Sequence, residues 1–140
     1  MFSKNVKVKR LKEVPLFSEC SRRELEAIAA TADELVFPAG RTLIQEGAAG
    51  REFIVVLDGD VEVRRNGRRL PRGDANYFGE VALLTGAPRN ATVTAATQVD
   101  ALVLTDRAFD RLLNDSPPIR RKVLANLASR LPPAGGRSSA

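Results

Sequence analysis

Histidine is absent from the 140 residues, and cysteine occurs once, at Cys20. The first absence removes the commonest general base and the commonest metal ligand. The second excludes an intrachain disulfide and leaves Cys20 as a partly buried bystander. Long apolar runs are also missing: nowhere do about 18 consecutive apolar residues occur, the length at which a membrane-spanning helix becomes a candidate. Residues 1–12 are charged where a secretory signal would carry its apolar centre. A cytoplasmic location is therefore expected, with any link to a membrane an indirect one. No nucleophile–base pair and no cluster of metal ligands stands out, so the sequence argues against an enzyme.

Acid is missing from the N-terminus. Lys4, Lys7, Lys9, Arg10 and Lys12 all precede the first acid, Glu13, and beyond them 17 basic residues face 17 acidic ones. The sequence pI near 10.0 is thus a property of the leader. A nucleic-acid-reading face spreads along a folded element, so direct nucleic-acid binding is not expected. Residues 1–13 read as a basic, solvated or partly disordered leader that could touch acidic lipid or a partner. Residues 14–131 form one domain, and residues 132–140 a loose tail. A domain of this length buries roughly two-thirds of its unfolded surface, enough for a core and one ligand pocket.

Against these absences, local signals are plentiful. After the apolar knot Val14-Pro15-Leu16-Phe17, Ser21 and Glu24 have capping-box spacing, and Leu25, Ile28, Ala29 and Ala32 make one apolar stripe. A helix is expected there. From Glu34 the texture becomes short β-rich runs separated by turn residues: 35–37, 42–45, 53–57, 61–64, 68–70, 91–95 and 99–105. Asn66-Gly67 is the preferred pair for a type I′ hairpin. Asp58, Asp60 and Glu62 read as the wet face of a strand rather than a cation site. Asp106 is expected to cap a helix carrying Phe109, Leu112 and Leu113. Pro117-Pro118 then restarts the chain into a last amphipathic helix, with Ile119, Val123, Leu124, Leu127 and Leu131 as its seat. The expected fold is mainly β: an eight-stranded, jelly-roll-like β-roll with one N-terminal and two C-terminal helices.

The segment Phe78 to Val93, FGEVALLTGAPRNATV, interrupts the strand rhythm. It opens on a glycine, turns through about one helical segment and closes on an arginine leading into the next strand. That order suits a phosphate. Free amides of a short helix starting at Gly79 favour an anion, Arg89 supplies a two-pronged counter-charge, and Gly79 permits close backbone approach. Glu80 can only accept hydrogen bonds when ionised, which fits a sugar hydroxyl, and it could also orient Arg89.

In these residues the chain resembles the phosphate-binding cassette of the cyclic-nucleotide-binding domain family, which includes catabolite activators, protein kinase A regulatory subunits and cyclic-nucleotide-gated channels. The likeness runs from Val14 to the C-terminal helices and looks most like the cytoplasmic domain of bacterial cyclic-nucleotide-regulated potassium channels. The resemblance implies a cAMP ligand, with cGMP as the alternative, and no other cofactor. It places Arg89 on the cyclic phosphate, Glu80 on the ribose 2′-hydroxyl, and the amides of Ala82 and Ala91 on further phosphate oxygens. Gly79 and Val81 would line the sugar side and Val63 the roll wall. Arg130, in the last helix, would lie over the base. Asn90 stands where relatives more often carry alanine, serine or threonine; the favoured purine depends on it, unless it only caps local backbone. The family reading makes the chain a sensor module whose last helix closes as a lid. The competitors are the sensing part of a catabolite-activator-type transcription factor, which should continue into a helix-turn-helix, and a scaffold that no longer binds nucleotide.

Overall fold

The computed structural model describes residues 4–71 and 76–130, except the side chains of residues 128–130. Among the described residues, eight strands form two four-stranded antiparallel sheets. The first has the order β1 (Asp33–Phe37), β8 (Val99–Thr105), β3 (Glu52–Asp58), β6 (Tyr77–Phe78). The second has the order β2 (Thr42–Ile44), β7 (Thr92–Ala95), β4 (Val61–Arg65), β5 (Arg68–Leu70). This is the expected roll.

The pattern of β3 shows how the two sheets are placed. Ile54 and Val56 point into the roll against Val61, Val63, Phe78 and Val93, whereas Phe53, Val55 and Leu57 point out against the helices. A strand covered on both faces must be apolar at every position, which accounts for the unbroken run 53–57. β4 lies in the other sheet and buries only its Val61 and Val63 face. The β4–β5 connection has positive φ at both Asn66 (53°) and Gly67 (77°), as a type I′ turn requires.

The helices cover the outer face of the first sheet. In α2 (Arg22–Thr31), Ser21 accepts from the Glu24 amide at 3.1 Å while the Glu24 carboxylate accepts from the Ser21 amide at 2.8 Å, closing the capping box. After the roll come α4 (Asp106–Asp115) and α5 (Pro117–Arg130). Phe53 and Phe109 join α4 to β3 with ring centroids 4.6 Å apart.

Four sequence expectations are corrected. Among the described residues two α-helices, not one, precede the roll: the basic segment folds as α1 (Lys4–Lys12), with Val8 and Leu11 buried in the helical core. Its charges are put to use, since Arg10 donates to the Leu57 carbonyl at 2.6 Å and pairs with Asp58 at 3.2 Å. The cap of α4 is Thr105, which accepts from the Ala108 amide, with Asp106 already the first helical residue. The short β6 was hidden beside the cassette. Leu124 is 51% exposed, so α5 is seated by Ile119 and Val123 instead. Residues 132–140 and Leu131 lie outside the described residues.

Candidate functional site

The site is built where β6 ends. Phe78 is fixed by pairing with Ile54, and Gly79 then takes φ 104°, a left-handed conformation that glycine adopts without a steric penalty. A Cβ there would stand 2.5 Å from the Glu52 carbonyl oxygen and 2.7 Å from Arg89 Nη1. The reversal launches the short helix α3 (Glu80–Thr85). It closes at Gly86, where φ is 74° and the amide donates to the Ala82 carbonyl at 2.9 Å.

The chain returns through Pro88 to Arg89, whose backbone forms a two-way bridge to the loop before β3. The Arg89 amide donates to Ala48 O, and the Gly47 amide donates to Arg89 O, each at 2.8 Å. The guanidinium turns inward. Nη1 donates to Gly79 O at 3.2 Å, Nη2 donates to Glu52 O at 2.9 Å, and Glu52 Oε1 lies 3.8 Å from Nη2. Gly50 packs on this group so closely that a Cβ would come within 2.7 Å of Arg89 Nε and of Ala82 Cβ. Burial pushes the Arg89 pKa down from its ordinary value, opposed first by Glu52 and then by Glu80. Arginine nonetheless remains charged in proteins. The result is a buried cation held in place by main-chain carbonyls beside Glu80, itself only 1% exposed.

Above this pair opens a cavity with about 690 Å³ of empty space, partly open to solvent. Val63, Gly79, Glu80, Val81, Ala82, Arg89, Asn90 and Ala91 all line it, so eight of the nine candidate residues are brought to one place. The ninth, Arg130, ends α5, but its side chain lies outside the described residues. Asp58, the last residue of β3, and Asp60, in the β3–β4 connection, are exposed and away from this lining. Sequence reasoning missed Gly50, Glu52 and Arg65. Gly50 just before a strand was a readable sign of close backbone approach. Glu52 left no such sign, because it acts mainly through its carbonyl.

Comparison with known proteins agrees with the geometry. The family model described as "Cyclic nucleotide-binding domain" matches residues 34–116. The cAMP-dependent protein kinase regulatory subunit of Mycosarcoma maydis is 39% identical over 117 residues, covering 75% of this chain and 22% of that protein. A cyclic nucleotide-gated potassium channel of Rhizobium etli is 34% identical over 110 residues, covering 79% and 31%. Among solved structures, PKAR CBD2 with Sp-2Cl-cAMPS bound superposes with a TM-score of 0.76 at 25% identity, covering 91% of each chain. The chain thus spans between 22 and 31% of the length of these two curated relatives, and the bacterial channel branch is not singled out. More than half of the sequence, including the whole cassette, falls within the matched segment, and the chain belongs to the cyclic nucleotide-binding domain family.

Proposed function

We propose that this domain is a reversible sensor of a cyclic nucleotide, with cAMP favoured over cGMP by a modest margin, and that it carries out no chemistry of its own. The observation that supports this most is Arg89, a charged fork held inside the roll among the residues lining the pocket. In this reading Arg89 neutralises the cyclic phosphate, helped by the amides of Ala82 and Ala91. Glu80 accepts from the ribose 2′-hydroxyl, Gly79 and Val81 line the sugar side, and Val63 forms part of the roll wall. Asn90 has both a donor and an acceptor and so tolerates either purine.

The 2′-hydroxyl gives the direct test. Binding of 2′-deoxy-cAMP is expected to be roughly 10- to 100-fold weaker than that of cAMP, the value of one hydrogen bond to a buried carboxylate. Glu80→Ala should narrow that gap. Equal binding of the two sugars by the parent chain, measured by calorimetry, would remove Glu80 from the reading.

The output is proposed to be movement of α5. None of the pocket's described lining comes from α5. Its middle turn is instead tied to the N-terminal segment: Lys122 Nζ donates to Pro15 O at 2.9 Å and to Ser18 Oγ at 2.8 Å, and pairs with Glu19 at 3.1 Å. A ligand would redistribute the helix only by binding one arrangement better, and about 5.5 kcal/mol of such preference switches an equilibrium almost fully. With α5 closed, Arg130 would stack on the purine, a contact worth about 0.5 to 2 kcal/mol. Arg130→Ala is therefore expected to speed release of a fluorescent cAMP analogue several-fold in stopped flow. An unchanged off-rate would return Arg130 to the solvated surface. The names of the relatives, a kinase regulatory subunit and a channel, support reading such a sensor as one module of a larger regulatory assembly.

A further inference from the structure

An arginine is unusual on the inner face of a strand. The two-residue period that turns Val61 and Val63 of β4 into the roll carries Arg65 inward as well. Arginine is seldom placed this way unless its charge has a use. Arg65 is half-buried and lines the pocket together with Val63, Leu70 and Pro71, and its Nε donates to the Asn90 carbonyl at 2.9 Å. Arg65 and Arg89 are the two cationic residues among the pocket's described lining. Their places differ. Arg89 is bound to the α3 side through Gly79 and Glu52, whereas Arg65 enters from the β4–β5 wall, where Val63 pairs with Leu70.

With the phosphate on Arg89 and the ribose on Glu80, the purine is left to face that wall. A guanidinium fork matches two neighbouring acceptors in one plane. Guanine offers such a pair in N7 and O6, while adenine sets the N6 amino donor beside N7, which opposes the fork. The bond from Nε to Asn90 ties the guanidinium to the strand segment that follows Arg89, so phosphate and base recognition are linked through one carbonyl.

Resting on the reading of this cavity as a cyclic-nucleotide pocket, we propose that Arg65 is a specificity-determining residue that reads the N7/O6 acceptor pair of a guanine-like base. It keeps cGMP and cIMP as competent ligands and narrows the preference for cAMP.

The test titrates the parent chain, Arg65→Leu and Arg65→Lys with cAMP, cGMP and cIMP by calorimetry, with thermal unfolding to confirm that each variant is folded. The nucleotide cIMP shares O6 and N7 with cGMP and lacks its 2-amino group. Arg65→Leu is expected to weaken cGMP and cIMP alike by about 5- to 100-fold, the range of one bidentate base contact, and cAMP by less than about threefold. Arg65→Lys keeps the charge but not the fork; it should behave like the leucine variant, and it decides the matter if that variant does not fold. Equal loss for all three nucleotides would make Arg65 a support for Asn90 and overturn the proposal. So would loss confined to cGMP, or no loss at all. A parent chain that binds none of the three overturns the pocket reading itself, a result distinct from the others.

Discussion

Arg89→Ala is expected to lower cyclic-nucleotide affinity by between about 30-fold and a few thousandfold, because removing one partner of a desolvated charge pair costs about 2 to 5 kcal/mol. Two effects combine. The ligand phosphate loses its counter-charge, and the carbonyls of Gly79 and Glu52 lose the donors at 3.2 and 2.9 Å that fix the start of α3. Arg89→Lys should recover only part of the loss, since a single ammonium cannot reach both carbonyls and a phosphate in the geometry of a planar fork. Circular dichroism and thermal unfolding would establish that each variant is folded. A folded Arg89→Ala protein with near-parent affinity would contradict the assignment of this pocket.

The second large effect is on stability and lies far from the pocket. Leu11 in α1 is fully buried among the helices. Leu11→Ala should destabilise the fold by about 2 to 5 kcal/mol, which for a domain of this size lowers the melting temperature by on the order of 10 °C. Lys9 of the same helix is exposed, and Lys9→Ala should shift stability by no more than about 0.5 kcal/mol. Differential scanning calorimetry of the pair separates a packed helix from a solvated leader: two equal, small shifts would mean that α1 contributes no core.

These two positions also mark what could and could not be read from the sequence. The cassette was legible because its glycine, carboxylate and arginine follow one another within a dozen residues, and each has a chemistry that a phosphate-bearing sugar needs. The strands were legible because their neighbours are turn formers with specific demands, as at Asn66-Gly67. The helix α1 was not. Five basic residues among nine to twelve dominate any local reading, and Val8 and Leu11 become informative only once the sheet they cover exists. Leu124 misled in the opposite way, because its spacing matches the apolar stripe of α5 while the helix turns it to solvent. Glu52 and Arg65 were illegible for a third reason. One acts mainly through a backbone carbonyl, and the other puts a charge at an inward-facing position of β4, so each takes on meaning only from what lies across the roll.

The cavity lined by Arg89 and Glu80 is proposed to bind a cyclic nucleotide. Isothermal titration of the folded chain with cAMP tests it most directly. One saturable site per chain, abolished or severely weakened by Arg89→Ala, is the expected result. A folded parent chain that shows no saturable binding of cAMP or cGMP at about 1 mM, the weakest end of specific recognition, would contradict it.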